Sequence, residues 1–247
     1  MIARYGAFVL RQLERFVCLG ARYCDAPFYD TRQFDWVALL ESRSGEIREE
    51  ATGILSQFSA LMSLSKLSKY QANVDSDDMW KVFLLRGYGH VAKAATLLCP
   101  KTLAALDCVP GLGAAMFSIL HPHKKIAPHR GLYKGLARYH LALIVPAKGE
   151  DCWIRVRDET RNWVPGRSLV FEDTFVHEVS NNTDDFRVVL LVTFERPLRW
   201  PFSALNRGLL WIVSRSGYVT DTLARHSRWE EKFLADLEAG KGVCLGE

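Results

Sequence analysis

The hydrophobic and polar positions divide this chain into two parts with different periodicities. From residue 32 to about residue 107 the apolar residues recur at helical spacing, as Trp36, Leu39 and Leu40 do. Few Gly or Pro residues interrupt the pattern. The first part of the chain is therefore predicted to be mainly helical.

From Gly113 the pattern changes to short apolar runs separated by polar turns. Six runs stand out, at residues 115–120, 138–145, 152–156, 168–172, 175–179 and 188–194. Such runs are typical of an antiparallel sandwich or barrel. We expect one structural domain in three parts, with helices over 1–112, a β core over 113–198 and a helical tail over 199–247.

Two amphipathic segments flank the predicted β core. In a helix over residues 1–22, four arginines would lie on one stripe and apolar residues on the opposite side. A helix over 201–215 would begin at Pro201, and its apolar face would consist of Phe202, Leu205, Leu209, Ile212 and Val213. Two interpretations stay open. Such helices more often cap a domain core, but a basic amphipathic helix also suits a membrane surface.

Composition narrows the class of protein. The 247 residues are 49% hydrophobic and 24% charged, which is typical of a globular domain that needs no disulfides. The six cysteines form no CxxC pair and no leader-like segment precedes them, so a reducing, cytoplasmic location is expected. The dispersed net charge of +4 gives no reason to expect nucleic acid as a partner, and no apolar run is long enough to span a membrane.

Histidines are concentrated where the β pattern begins. Six of the seven lie between positions 90 and 177, among them His129 and His177. Neutral imidazole binds divalent iron, copper, nickel and zinc, so a pair of histidines on neighbouring strands is a candidate metal site. A single histidine in a strand is more often only a hydrogen-bonded polar residue.

An arginine at the head of the most apolar run strengthens the interpretation of His177. A polar turn at 180–185 separates the strand of His177 from the run that starts at Arg187, so both residues belong to one hairpin. A buried guanidinium needs an anion, and a carboxylate fits it best. A dicarboxylate cosubstrate that binds the metal through its 2-oxo acid end would reach Arg187. An internal ion pair with Glu195 or Asp173 is the alternative.

Several motifs in this region resemble a known family. The run PHRGLYKGLARYHLAL at 128–143, then Cys152, Trp163, Gly166, FEDTFVHEV at 171–179 and Phe186-Arg187 resemble the aspartyl/asparaginyl β-hydroxylase family of 2-oxoglutarate dioxygenases. The likeness covers about 114–197. Flanking features, namely Trp80, LCPK at 98–101, ERPL at 195–198 and ALNR at 204–207, are more similar to the bacterial lipid A 2-hydroxylase branch.

The resemblance implies a fold, a cofactor and a set of site residues. The fold would be a double-stranded β-helix, the cupin-like jelly roll, with a helical layer. His129 and His177 match the two iron ligands, and Ser118, Arg138, His140 and Arg187 match positions that bind 2-oxoglutarate or line its pocket. The implied reaction consumes 2-oxoglutarate and O2, hydroxylates a C–H bond and releases succinate and CO2.

One position departs from the wider superfamily. Most of its members carry a third, carboxylate ligand two residues after the first histidine, and the lipid A branch also has an aspartate there. This chain has Gly131, as the aspartyl/asparaginyl hydroxylases do. Asp173, four residues before His177, is a candidate hydrogen-bond partner behind the ligands, or simply a carboxylate at a strand edge.

The substrate stays open between two candidates. The flanking motifs and amphipathic segments slightly favour the acyl chain of a membrane lipid, such as lipid A or an ornithine lipid. That substrate implies peripheral contact with the inner face of the membrane through 1–22 and 201–215. The alternative is the β-carbon of a peptidyl Asp or Asn. Two further rivals are a halogenase with chloride beside Gly131 and a non-catalytic jelly roll that binds a carboxylate or a protein.

Overall fold

The fold is built from two antiparallel sheets that face each other. The computed structural model describes residues 12, 14–23, 25–68, 77–131 and 133–239. The larger sheet has the strand order β1-β10-β7-β12-β5-β3-β2, with β4 paired to β3, and the smaller has the order β6-β11-β8-β9. The larger sheet contains β1 (Phe28–Tyr29), β2 (Met62–Ser63), β3 (Trp80–Gly87), β4 (His90–Val91), β5 (Leu112–Leu120), β7 (Leu136–Ile144), β10 (Ser168–Phe171) and β12 (Arg187–Glu195). The smaller contains β6 (Lys125–His129), β8 (Cys152–Val156), β9 (Glu159–Asn162) and β11 (His177–Asn181).

Helices cover the outer face of the larger sheet and follow its last strand. They are α1 (Asp35–Ser42), α2 (Ser44–Leu55), α3 (Leu64–Leu67), α4 (Lys93–Leu98), α5 (Pro100–Leu106), α6 (Phe202–Ser214) and α7 (Gly217–Glu238), with short 3-10 turns at Thr31–Gln33, Phe58–Ala60 and Gly149–Asp151. No helix among the described residues is long and apolar enough to cross a membrane.

Strand β12 shows how the layers are arranged. Val188, Leu190 and Val192 belong to the core under the helices, whereas Val189 and Leu191 belong to the core between the two sheets. Successive side chains of a strand point to opposite faces, so one apolar strand supplies both cores. Two facing antiparallel sheets with a filled interior form a double-stranded β-helix, which confirms the fold class predicted from the sequence.

The six apolar runs each correspond to a strand, namely β5, β7, β8, β10, β11 and β12. The prediction for the first part of the chain is incomplete, because β3 is a strand of the larger sheet and lies between β5 and the short edge strand β2. Its residues face both cores: Trp80 and Val82 face the sheet interior, and Phe83 and Leu85 face the helices. A short run buried on both sides has no period of two, so its pattern cannot be distinguished from that of a buried helix.

The structure tests only one of the two predicted amphipathic helices. The predicted helix over 1–22 lies largely outside the described residues. The predicted helix over 201–215 is α6, and its only buried residue is Asn206. The exposed fractions of Trp211 and Ile212 are 59% and 60%, and Leu205 and Val213 are also exposed. Of the predicted apolar face, Leu205, Ile212 and Val213 are exposed, whereas Phe202 and Leu209 are half-buried, so α6 packs on the domain through only part of that face. We call Leu205, Trp211, Ile212, Val213 and the adjacent Trp200 the α6 surface.

Candidate active site

His129 and His177 meet across neighbouring strands of the smaller sheet. Strand β6 ends at His129, β11 begins at His177, and the two residues are direct partners in the antiparallel register. Their ring centroids are 4.1 Å apart. Because directly opposed residues point to the same face of a sheet, both imidazoles are presented together. The structure therefore brings the two predicted metal ligands into contact.

The protein fixes both rings in the same way. Nδ1 of His129 lies 2.8 Å from the carbonyl oxygen of Ala127, and Nδ1 of His177 lies 3.0 Å from that of Phe175. A carbonyl oxygen only accepts, so each Nδ1 carries the proton and each Nε2 keeps a lone pair. This is the orientation seen in metal-binding histidines.

Burial also favours the neutral form of both rings. It lowers the pKa of His129 below its usual value. Burial and the neighbouring ring of His129 lower the pKa of His177 to about 4. Both groups are therefore neutral at neutral pH, which is the form that binds metals.

Arg187 is buried at the start of β12, and no carboxylate among the described residues forms an ion pair with it. Its exposed fraction is 1%, its terminal nitrogen donates to the carbonyl oxygen of Ser118 at 3.3 Å, and its guanidinium lies over Trp163 at 4.7 Å. Its Nε has no hydrogen-bond partner among the described residues. Burial lowers its pKa to about 10, so it stays charged at neutral pH.

The alternative of an internal ion pair for Arg187 does not hold. Glu195 lies 3.5 Å from Arg207, and Asp173 lies 2.6 Å from Arg138. A buried guanidinium without an anion is costly in free energy. The site is therefore suited to an anionic ligand, and a carboxylate matches the guanidinium fork best.

Aromatic rings connect Arg187 with the histidine pair. His140 stacks on Trp163 with 6.1 Å between ring centroids and meets the edge of Phe171 at 4.9 Å, and Phe171 contacts His177 at 6.0 Å. Nδ1 of His140 has no partner within the described part of the chain, and burial together with the charge of Arg187 holds its pKa well below the usual value. The ring is therefore a neutral polar group packed against two aromatic rings.

The other two predicted residues share the inner face of the larger sheet with Arg187 and His140. The hydroxyl of Ser118 accepts from Trp80 Nε1 at 3.0 Å. Arg138 donates to Asp173 at 2.6 Å and to the hydroxyl of Thr193 at 2.6 Å. Both side chains are already hydrogen-bonded within the protein, so their roles toward a cosubstrate stay predictions. Trp163 and Phe171 were not among the predicted site residues, although both lie in the motifs that carry the resemblance.

Gly131 is required by the carboxylate of Asp173. A Cβ built on Gly131 would lie 2.5 Å from Cγ of Asp173, well inside contact distance. The same two residues are joined by a backbone hydrogen bond of 2.6 Å from the amide of Gly131 to the carbonyl of Asp173. The neighbouring loop therefore supplies a carboxylate beside the glycine, in the space that a side chain at position 131 would need.

This arrangement makes a testable prediction about stability. Gly131→Ala should lower the free energy of unfolding by about 1–3 kcal/mol, because Asp173 is held by Arg138 and cannot move aside cheaply. The same change in an Asp173→Gly background should cost less than about 0.5 kcal/mol, as for a site without overpacking. Thermal and denaturant unfolding of the wild type, the two single variants and the double variant measures how strongly positions 131 and 173 are coupled. Equal costs in both backgrounds would mean that Asp173 does not restrict position 131.

Two facing sheets with a histidine pair and a buried, unpaired guanidinium between them define a jelly-roll protein with an enclosed polar site. The chain belongs to the aspartyl/asparaginyl β-hydroxylase family, whose model matches residues 41–197. This confirms the resemblance seen in the sequence. The chain is therefore an enzyme of a hydroxylase family.

Two relatives of this chain are hydroxylases that act on different kinds of substrate. An ornithine lipid ester-linked acyl 2-hydroxylase of Rhizobium tropici is 38% identical over 219 residues, which are 89% of this chain and 78% of that protein. The human aspartyl/asparaginyl β-hydroxylase is 30% identical over 179 residues, 69% of this chain but only 23% of that protein. This chain thus spans less than a quarter of the human relative.

Solved structures that are similar to the chain include the cupin domain of an XRE-family transcriptional regulator from Enterobacter cloacae. It is 13% identical, with a TM-score of 0.34, over 48% of this chain and 99% of that domain. The fold assignment rests on the strand pairing described above.

Proposed function

We propose that this chain is an iron(II)- and 2-oxoglutarate-dependent hydroxylase. The observation that carries the proposal is a pair of neutral histidines with free Nε2 atoms in the same interior as a buried arginine without an anion. When bound, iron and 2-oxoglutarate would supply the oxidative chemistry, in which O2 is consumed, succinate and CO2 are released and a C–H bond becomes C–OH.

The protein's own groups would bind and orient the reactants. His129 and His177 would hold the iron, with their rings fixed by the carbonyl groups of Ala127 and Phe175. Arg187 would bind the distal carboxylate of 2-oxoglutarate, with its guanidinium placed over the ring of Trp163. Phe171 and Trp163 would exclude water from the space between Arg187 and the histidine pair, which strengthens the ion pair between Arg187 and the carboxylate.

Asp173 favours hydroxylation over halogenation. Its carboxylate lies against Gly131, where a halogenase would hold chloride, and leaves little room for that anion. The same carboxylate can instead accept a hydrogen bond from a water at that position. A non-catalytic binding module is disfavoured because the relatives are hydroxylases.

For the substrate, we propose the acyl chain of a membrane lipid, with an ornithine lipid as the first candidate. The lipid hydroxylase relative matches most of this chain and most of its own length, whereas the peptide hydroxylase relative matches a smaller share of both. The alternative, a peptidyl Asp or Asn, is supported by Gly131. Hydroxylation of a membrane lipid would place the enzyme at the cytoplasmic face of a membrane.

The α6 surface supports the lipid proposal because it is tied to the candidate site. The amide oxygen of Asn206, on α6, accepts from the hydroxyl of Tyr133 at 2.8 Å, and its amide nitrogen donates to the carbonyl of Gly135 at 3.0 Å. Tyr133 and Gly135 belong to the loop that follows His129. A bilayer that covers the exposed apolar side of α6 would therefore lie next to the loop at the metal ligands.

Comparative mass spectrometry tests the reaction and the substrate separately. The purified chain should form succinate from 2-oxoglutarate only with iron(II), and should do so faster with ornithine lipid vesicles than without them. Deletion of the gene should remove from the lipid spectrum a species heavier by one oxygen atom. An unchanged lipid spectrum together with loss of hydroxylated Asp or Asn in the proteome would reject the lipid and leave the reaction class standing.

A second measurement addresses the α6 surface. The double change Trp211→Ser and Ile212→Ser should weaken binding to anionic vesicles at least about tenfold, since burying one Ile side chain alone is worth about 1.5–3 kcal/mol. The matched control is Leu39→Ser with Leu97→Ser, which removes two apolar side chains that are 57% and 68% exposed on α1 and α4. An equal loss in both variants, or none in the first, would contradict membrane contact through α6.

A further inference from the structure

A second cluster of potential metal ligands lies away from the histidine pair. It consists of His90 on β4 and of His226 and Glu230 on α7. One ligand atom from each residue can be chosen so that all three lie within 4.8 Å of one another. The three residues are brought together from parts of the chain that are more than a hundred positions apart.

Two structural features position the three ligands, namely helix α7 and the β3–β4 hairpin. His226 and Glu230 are four residues apart on one helix and so share a face. His90 follows a two-residue hairpin turn in which Tyr88 and Gly89 both have positive φ, of 51° and 85°, and it pairs with Gly87. Helix α7 is packed on the helix-covered side of the larger sheet through Phe233, whose ring lies 6.2 Å from that of Phe83. The cluster is therefore on the opposite side of that sheet from the candidate active site.

The imidazoles of the cluster have unmet bonding capacity. His226 is 2% exposed, yet neither of its ring nitrogens has a hydrogen-bond partner in the described part of the chain, and Nε2 of His90 is also buried and unpaired. Buried polar atoms are nearly always paired, so unpaired nitrogens on two neighbouring imidazoles beside a carboxylate indicate a missing ligand. Burial lowers the pKa of His226, which keeps the ring in the neutral form that binds a cation.

Glu230 supplies the negative charge. It is 3% exposed, and its Oε1 accepts from the backbone amide of Ala94 at 2.9 Å. That hydrogen bond fixes the carboxylate and leaves Oε2 available to a cation. Two imidazoles and one carboxylate form a donor set that suits Zn²⁺ and related first-row cations, with bonds of about 2.0–2.2 Å.

We propose that His90, His226 and Glu230 bind a divalent first-row cation, with Zn²⁺ the best fit, which clamps α7 to the β3–β4 hairpin. The ligand atoms need to move inward only slightly to reach bonding distance, and partly exposed His90 leaves an access route for a water as fourth ligand. The role is structural, because the cation would join α7 to the hairpin, next to the point where the hydrogen bond from Ala94 to Glu230 already holds α7 to α4.

The test uses the full chain with His129→Ala and His177→Ala, which removes the proposed iron ligands. After treatment with a chelator, this protein is titrated with Zn²⁺ by calorimetry and its metal content is measured. We expect one equivalent of bound Zn²⁺. At free Zn²⁺ about a hundred times Kd, we expect a rise in Tm of about 5–10 °C.

Three further substitutions, made in that same background, assign the site. Glu230→Gln and His90→Gln should each abolish the bound equivalent and the rise in Tm, whereas Glu231→Gln, at the next and exposed position of α7, should preserve both. Because His90 is partly exposed, its variant should fold even if Glu230→Gln does not. Absence of bound Zn²⁺ and of a Tm shift in the background protein, or full binding by His90→Gln, would overturn the proposal.

Discussion

Replacement of His177 by alanine is expected to abolish succinate formation, with a loss of at least about 100-fold. Loss of groups that merely support a metal ligand already costs about 10–100-fold, and this change removes one of two protein ligands. His129→Ala should behave alike, since the two rings are direct partners in the strand register. Iron(II)-dependent 2-oxoglutarate turnover, followed as succinate, measures both.

Folding is checked separately for these variants. His123→Ala is the matched control, because the His123 side chain is 67% exposed and contacts Asp184 away from the histidine pair. It should retain full turnover. Circular dichroism and thermal unfolding should show that His177→Ala remains folded, with a loss within the usual range of about 0.5–3 kcal/mol. Retained turnover in His129→Ala or His177→Ala would show that other residues bind the metal.

Arg187→Lys is expected to raise the KM for 2-oxoglutarate by about 10–100-fold, with a smaller fall in kcat. Lysine keeps the charge but loses the planar fork and the stacking on Trp163, and one charge-assisted hydrogen bond is worth about 1.5–3 kcal/mol. A larger effect on KM than on kcat is the signature of lost binding that is common to ground and transition states. Steady-state kinetics with varied 2-oxoglutarate tests this.

Arg187→Met separates a binding role from a structural one. In the absence of cosubstrate, the wild-type guanidinium is buried without an anion, so an apolar side chain of similar length should unfold at an equal or higher temperature. The same variant should lose nearly all turnover at ordinary 2-oxoglutarate concentrations. A clear fall in Tm would show that Arg187 serves the fold, and an unchanged KM in Arg187→Lys would refute the carboxylate assignment.

Much of the candidate site follows from the sequence because strands have a simple period. In β12, Arg187, Val189 and Leu191 alternate with residues of the helix-covered core, so Arg187 must face the interior if Val189 does. The motifs around His129, His140 and His177 indicated the family, and the match of the family model to residues 41–197 confirms it. A local pattern and a motif are both properties of neighbouring residues, and the sequence displays them directly.

Contacts between distant residues depended on the tertiary structure. The pairing of His129 with His177 rests on the register between β6 and β11, and a shift of one residue would turn one ring to the other face. The lack of room for a side chain at position 131 beside Asp173, and the pairing of Asp173 with Arg138 rather than Arg187, likewise depend on how loops and sheets pack. The sequence alone left Arg187 with two possible partners, and only packing excluded both.

The sequence by itself determined the strand-rich core, its inward-facing positions and the family. Only the tertiary structure decided that β3 belongs to the larger sheet, that part of the apolar face of α6 is exposed, and that His90 meets His226 and Glu230. The physical reason is that burial on both faces removes periodicity from β3, while exposure and long-range contacts depend on which surfaces the folded chain covers. Those surfaces are set by the packing of elements far apart in the sequence, which no local pattern records.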